Sequence, residues 1–538
     1  MQYVGITVGP IVDTLQMTST PAGLWFASYF FSSLVRDICQ KLQEQGVEIL
    51  TLPEGYSVKD NIADHGVGIY HDRIYFETDD SVEKIEENLP KLLDEVIRIK
   101  AAGFRQAFTS AGEDPVEYGE EVITEFLHDY LQISFVVFTE DETKENGIAK
   151  TLSDTLDTLE LSKRSRVEQK YSYMRQLISG KRDDSNAYLR NHPTFSRLAA
   201  DERFPLNYID GKSVHIRDLG KIASGYGLSD RKDNVDKTSS YIAVVQCDGD
   251  NMGRTIAAED EHGNPQAEKV RLRNFSYMCM AYTSEASKMV TDYGGVVIYA
   301  GGDDLLFIAP VQATRKSKKY SNIWELCRAI GEKFGAIFEK PDVEQKPTLS
   351  VGVSIQYHKF PLYESFNDAS GCLFGEAKNF IHGTEKSKNN IAMHLQKHSG
   401  QFVGFTMCME THASGEPIGL FDAFIDILQD FYGQDNEDMH SQNNIMHSVI
   451  YNLEEQHVLI QEAMDTCDKQ VISNVIDNSF DNFGQKFGDR LLTQIKDLEY
   501  KLQLAYKGGA VKGNEQKSDS ADILVSMLRM AKFLVEED

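Results

Sequence analysis

The densest chemistry in this sequence is Tyr299-Ala-Gly-Gly-Asp-Asp304, an acidic doublet behind two glycines, set between the apolar runs GGVVIYA (294–300) and LLFIAP (305–310). Gly301 and Gly302 suit a tight hairpin, where a positive φ is needed. Such a turn lifts Asp303 and Asp304 to a sheet edge side by side. Two like charges there cost energy unless a cation sits between them, and a divalent metal ion is the usual answer. An ordinary surface turn has the same composition, so the doublet alone decides nothing. A second acidic pair stands at the end of another apolar run: YIAVVQC (241–247) leads into Asp248-Gly249-Asp250-Asn-Met-Gly253. Asp248, Asp250, Gly253 and Glu259 also occupy positions 1, 3, 6 and 12 of an EF-hand loop. Met252 at position 5 is no ligand, and a strand precedes the loop where a helix is required. That rival is rejected. On the far side, Ala377-Lys378 ends an expected helix and Lys386, Lys388, Asn389 and Asn390 follow. Of these Lys378 is the candidate for neutralising triphosphate oxygens.

These groups must be carried by regular elements, and the periodicities supply them. Around the acidic pairs the expected order is strand 241–247, helix 266–292, strands 294–300 and 305–310, helix 321–339, strand 348–357 and helix 362–379. The N-terminal part repeats this pattern: strand 3–12, a helix begun by Thr18–Pro21, strands 47–52 and 73–77, helix 81–100 and strand 133–138. That order is the signature of a ferredoxin-like or palm unit. In a palm the first strand and the central hairpin are neighbours, so Asp248 would face Asp303 and Asp304. Three carboxylates there can hold two metal ions about 4 Å apart, a pair able to activate a hydroxyl and stabilise pyrophosphate departure.

The fold class is therefore α+β: two palm domains (1–148, degenerate, and 240–412, catalytic), a mainly helical connector (149–239) and a C-terminal helical bundle (413–538). The connector keeps Leu152, Leu156 and Leu159 in helical period. From about 418 strand signals vanish, four or five helices are expected, and 508–520 reads as a mobile loop.

Composition limits the function. The 538 residues include 83 acidic against 55 basic, a net charge of −28. Phosphate binding draws on Lys and Arg, so this surface argues against a protein that grips nucleic acid by itself. It leaves room for an enzyme that uses carboxylates. Seven dispersed cysteines without a CxxC pair give neither a disulfide framework nor a sequence-local zinc ribbon. No run approaches the roughly 18 apolar residues of a membrane helix, and no signal peptide opens the chain, so a cytoplasmic protein is expected.

Together, Asp248-Gly-Asp250-Asn-Met-Gly253, the Gly301–Asp304 hairpin, the SVGVSI strand and Ala377-Lys378 resemble the catalytic palm of the large subunit of type III CRISPR effector complexes. Val8-Gly9-Pro10-Ile11 and Gly23-Leu-Trp-Phe-Ala-Ser-Tyr29 resemble the first palm of its Cmr (III-B) version, and the likeness covers nearly the whole chain. A more distant relation to GGDEF-type diguanylate cyclases comes through the same palm. The resemblance implies an RNA-guided complex with further subunits, crRNA and target RNA, making an adenylate second messenger from ATP. It implies Asp248, Asp303 and Asp304 as ligands of Mg²⁺ or Mn²⁺. Gly249, Asp250, Gly301, Gly302 and Lys378 would then lie against the nucleotide. The usual product is cyclic oligoadenylate; some relatives join AMP to S-adenosylmethionine. Many relatives begin with an HD nuclease domain and carry a zinc ribbon. Here His71-Asp72 and His128-Asp129 read as structural or surface pairs, so neither DNA cleavage, autonomous DNA binding nor zinc is expected. The competing readings are a non-catalytic architectural subunit and a stand-alone diguanylate cyclase-like enzyme.

Overall fold

The computed structural model describes residues 1–17, 21–59, 69–110, 119–161, 173–174, 177, 219–224, 240–252, 265–313, 319–339, 347–382, 385–386, 388–410, 412–413, 416–430, 436–480, 486–513 and 518–535. Most of the expected connector, and Gly253, lie outside these residues. Two compact units result. One comprises Met1–Arg217, Asn251–Ser287 and Val297–Leu305, the other Asp218–Asp250, Lys288–Val296 and Leu306–Asp538.

The first unit is built on the strand β1 (Gln2–Gly9), followed by helices α1 (Ile11–Gln16) and α2 (Pro21–Glu44). After them come β2 (Glu48–Ile49), β3 (Arg73–Thr78), α3 (Val82–Ser110), α4 (Glu120–Tyr130), β4 (Gln132–Thr139), α5 (Glu140–Thr143) and α6 (Ile148–Leu161). The sheet order is β2-β3-β1-β4, the antiparallel ferredoxin-like arrangement. Six successive residues of β1 are buried, so no in-out alternation marks it. One reason is Gly5, which lets Leu152 and Leu156 of α6 approach the strand; a Cβ there would meet Leu156 Cδ1 at 3.1 Å. Trp25, Phe26 and Phe30 of α2 are buried as well, and Phe26 and Phe30 pack on Phe104 of α3. The expected first strand ran to residue 12; in the structure Pro10 ends it and Ile11 starts a helix. Helix α4 has no counterpart in the sequence reading, although Ile123, Leu127 and Tyr130 give it a buried stripe.

Helix α7 (Leu219–Ala223) and β5 (Tyr241–Gly249) lead into α8 (Pro265–Tyr293). The start of α8 belongs to the first unit, where the Glu268 carboxylate accepts from the N–H groups of Ile148 and Ala149, both at 2.8 Å, and so caps α6. Lys269 pairs with Glu77 and Arg273 with Glu48, and both cations are more than nine-tenths buried.

Next come β6 (Val296–Gly301), β7 (Asp304–Pro310), α9 (Ile323–Phe338) and β8 (Leu349–Tyr357). Helix α10 (Leu362–Ser370) runs on as a π-helical segment, Gly371–Ala377. It is followed by β9 (Ile381–His382) paired with β10 (Glu385–Lys386), then β11 (Asn390–Gln396), β12 (Phe402–Cys408) and the pair β13 (His412–Ala413) and β14 (Glu416–Pro417). The larger sheet has the order β15-β12-β11-β8-β5-β7-β6. Its part β8-β5-β7-β6 repeats the strand order of the first sheet, β4-β1-β3-β2, so the chain holds two palms as the periodicities indicated. Two strands the sequence reading did not isolate, β11 and β12, widen the second sheet.

Six described helices follow residue 418, where four or five were expected: α11 (Leu420–Gln429), α12 (Asn436–Glu455), α13 (His457–Asp465), α14 (Lys469–Ser479), α15 (Lys486–Lys507) and α16 (Ser520–Phe533). The segment read as a mobile loop is in part regular. Within it β15 (Val511–Gly513) joins the sheet, Phe405 facing Gly513 and Met407 facing Val511. Backbone pairing with β12 orders three residues whose own composition favours a loop. Residues 514–517 lie outside the description.

Glu499 of α15 is fully buried, and neither carboxylate oxygen has a hydrogen-bond partner among the described residues. Burial pushes its pKa up to about 8 from the ordinary 4.5. The folded chain therefore holds this proton more tightly than the unfolded chain. Its stabilising effect is complete below about pH 4.5 and is lost as the pH rises toward 8. Glu499→Gln should remove that dependence, gaining on the order of 3 kcal/mol at pH 7. Thermal denaturation of parent and variant at pH 4.5 and pH 8 checks this: equal separation of the two midpoints at both values would refute it.

Candidate functional site

In the second unit the site begins where β5 ends. Strand β5 is clamped by β8, with Asp248 opposite Ser350 and Gly249 opposite Leu349. The Asp248 side chain is 25% exposed, whereas Asp250 is 1% exposed. Asp250 is fully engaged. Its carboxylate accepts from Thr348 Oγ1, Ser350 Oγ and the Asn389 N–H, each at 2.9 Å, and lies 3.0 Å from Lys378 Nζ. Its own N–H donates to Thr348 O at 2.8 Å. Asn251 and Asn389, which flank this carboxylate, adopt φ of 59° and 60°, a region that asparagine tolerates better than most residues. Asp250 thus ties three chain segments together, which is the work of a buried anchor more than of a group meeting a nucleotide.

Lys378 follows the π-helical segment, its N–H bonded to Leu373 O at 2.8 Å, five residues back. From there its ammonium pairs with Asp248 and donates to Gly249 O at 2.6 Å. Burial opposes its charge, but the carboxylates of Asp250 and Asp248 outweigh this and hold its pKa above the usual lysine value. Asn390 Nδ2 donates to Ala377 O at 2.8 Å and secures the helix end. Of the other basic candidates, the Lys386 side chain lies outside the description.

The acidic hairpin belongs to the first unit. Strand β6 ends at Gly301, Gly302 and Asp303 form the turn, and β7 starts at Asp304. Only Gly302 needs glycine's left-handed freedom, with φ 68°. At Gly301 a Cβ would stand 2.7 Å from Tyr299 Oη, so any larger residue would displace that phenol. Asp303 and Asp304 are both half-buried. Their charge is felt nearby: burial pushes the Tyr299 phenol well up, and Asp304, Asp72 and Asp303 push it further. Cys279 is raised in the same way, by burial first and then by Asp303 and Asp304.

The sequence reading set His71-Asp72 aside as structural or surface. His71 is exposed, as a surface residue would be, and it also lies against the turn, where a Cβ on Gly302 would come within 2.8 Å of its Cδ2. His71 Nδ1 is 2.8 Å from Asp72 Oδ1. Partial loss of solvent opposes its charge, although 43% of the side chain stays exposed, while Asp72 and, more weakly, Asp303 favour it and raise the pKa overall. No local spacing could have revealed this, since the contact joins the start of β3 to a hairpin far along the chain. His128, by contrast, makes an exposed pair with Asp94 at 2.7 Å, as a surface residue would.

On the turn of the first unit, Asp303 and Asp304 offer the carboxylate oxygens that a hard divalent cation prefers, and they raise Cys279 and Tyr299 beside them. In the second unit the strand-end carboxylate of Asp248 accepts an ammonium as counter-charge. Residues 241–392 match the family described as Cas10/Cmr2, second palm domain. The chain is Cas10-like, and its second palm is similar to that of the Cas10/Cmr2 family. Over 187 residues it is 30% identical to the CRISPR system Cmr subunit Cmr2 of Pyrococcus furiosus, an alignment covering 30% of this chain and 19% of that protein. This Cas10-like chain therefore spans under two thirds of that relative's length in the match. Two solved structures share its fold. A type III-B Cmr-beta structure in the apo state superimposes with a TM-score of 0.58 at 12% identity, over 98% of this chain and 81% of the other. A Csm1–Csm4 cassette in complex with cA4 superimposes with a TM-score of 0.50 at 14% identity, over 99% and 70%. No described helix is long and apolar enough to cross a membrane.

Proposed function

We propose that this chain is the large subunit of an RNA-guided type III CRISPR effector complex, and that its second palm transfers adenylate from ATP when target RNA is bound. The observation that carries the reading is the acidic turn Asp303–Asp304 on the β6–β7 hairpin, in a sheet whose order sets β7 beside β5, the strand that ends in Asp248. The family match supports it, and so does the fold shared with a cassette solved in complex with cA4. Guide crRNA, target RNA and the remaining subunits are the partners, consistent with a chain of net charge −28 that needs basic neighbours to hold RNA.

In this reading Asp248, Asp303 and Asp304 hold two Mg²⁺ or Mn²⁺ ions, which when bound supply charge neutralisation at the triphosphate and a more acidic acceptor hydroxyl. Lys378 holds Asp248 in place until substrate arrives, then turns toward the phosphates. Gly302 and Gly301 keep the turn low enough for the nucleotide to approach. The acceptor hydroxyl oxygen forms a bond to the α-phosphorus, the α–β phosphoanhydride bond breaks, pyrophosphate leaves and the hydroxyl proton passes to solvent. The product is a cyclic oligoadenylate, or AMP joined to S-adenosylmethionine.

The test is direct. The assembled complex is incubated with ATP, Mg²⁺ or Mn²⁺ and target RNA, with and without S-adenosylmethionine, and its products are read by mass spectrometry. Pyrophosphate and an adenylate product that require target RNA are expected. ATP left intact under all these conditions would overturn the assignment and favour a purely architectural subunit.

A further inference from the structure

Behind the π-helical segment lies a second polar cluster, in which helix, segment and sheet each contribute. Asp368 lies in the last turn of α10, Cys372 and Glu376 follow at four-residue intervals on the π-helical segment, and His394 projects from β11. Ligand atoms of Asp368, Cys372 and His394 all lie within 4.8 Å of one another. His394 Nδ1 is 2.8 Å from Asp368 Oδ1, and Nε2 is 2.9 Å from Glu376 Oε1. The residue is 8% exposed, yet Nε2 makes no aligned hydrogen bond, because Glu376 sits off the N–H direction. Space for the ring is created on purpose. Gly404 faces His394 across the β11–β12 pair, and a Cβ there would stand 2.7 Å from His394 Cδ2. The carboxylates are themselves held: Ser354 donates to Asp368 at 2.6 Å and Thr406 to Glu376 at 2.8 Å.

We propose that Asp368, Cys372 and His394 form a binding site for a borderline divalent transition ion of the Zn²⁺ class, with Glu376 orienting the ring from its far nitrogen. One carboxylate, one thiolate and one imidazole are ligands that such an ion takes together, whereas Mg²⁺ avoids sulfur and nitrogen. A carboxylate on the second ring nitrogen is the usual outer partner of a metal-bound histidine. With metal–ligand bonds of about 2.0–2.3 Å, tetrahedral ligand atoms stand about 3.5 Å apart, so closing the present spread takes shifts of about 1 Å. Asp368 and Glu376 keep 26% and 34% of their side chains exposed, which leaves a route for the ion. Loading displaces the Cys372 thiol proton and one ring proton to solvent. The sequence argument against zinc covered only paired cysteines; this site uses one. Its place is telling as well, since it would staple to β11 the helical segment that ends at Lys378.

The probe is Co²⁺ added to the full chain after dialysis against chelator. One equivalent should produce a thiolate-to-cobalt charge-transfer band, and Zn²⁺ should bleach it while Mg²⁺ should not. The band should disappear in Cys372→Ser and persist in Cys467→Ser, which alters a cysteine of the helical region, and in Asp303→Ala with Asp304→Ala. Zn²⁺ should raise the Tm of the parent. Absence of the band from the parent at saturating Co²⁺ overturns the site even if Cys372→Ser fails to fold. Its survival in a folded Cys372→Ser does the same.

Discussion

Replacing Asp303 and Asp304 together by alanine should lower target-RNA-dependent pyrophosphate release by at least about a thousandfold, while the palm stays folded. Each factor of ten in rate corresponds to about 1.4 kcal/mol, and neutralising charge at a transferring phosphoryl group is worth several kcal/mol. The fold should survive because the turn rests on Gly302, whose φ of 68° is independent of the carboxylates. Stability should even rise slightly, since two adjacent negative charges no longer repel. The same change should make Cys279 more acidic, as the two carboxylates are its largest electrostatic burden after burial. Pyrophosphate release and thermal denaturation on the same preparations check both halves. Parental turnover by a well-folded double variant would end the two-metal reading.

The second large effect concerns Asp250. Although its motif places it beside Asp248, the two should fail in different ways. Asp250→Ala leaves Ser350, Thr348 and the Asn389 N–H without their acceptor, and leaves Lys378 with one counter-charge in place of two. Breaking a buried, hydrogen-bonded ion pair from one side costs about 3–5 kcal/mol. For a cooperative unit of 150–250 residues that is a fall in Tm of roughly 6–20 °C. Asp248→Ala removes a partly exposed partner and should cost about 1 kcal/mol or less, yet abolish turnover. Differential scanning calorimetry separates the two. Equal destabilisation by both substitutions would show that Asp250 is not the anchor.

How far the sequence reached depended on how local each signal was. The two palms were legible because strand-helix-strand order survives in local periodicity, and the glycine-aspartate turn because few other residues can make it. Strands β11 and β12 were not, for a physical reason: NIAMHLQ and FVGFTMC are buried almost throughout, so they lack alternation, and they mix Ala, Met, Gly and His with few β-branched residues. Strand β15 exists through its pairing with β12 alone. His71 was visible only as half of a His-Asp pair, because its contact with Gly302 exists only in the folded chain. The acidic motif singled out Asp248 and Asp250 together, but did not show that Asp250 is walled in while Asp248 is partly open.

The π-helical segment before Lys378 carries one more consequence. Its hydrogen bond runs from residue 378 to residue 373, a loop one residue wider than that of an α-helix. Rewinding the same residues 371–377 as an ordinary α-helix, with none removed, would turn everything beyond them by about 100° about the axis. The lysine would then leave Asp248 although no active-site residue had changed. The reach of Lys378 is set by winding: the wide turn takes up one residue more than an α-helix would, and so keeps the lysine aimed at Asp248.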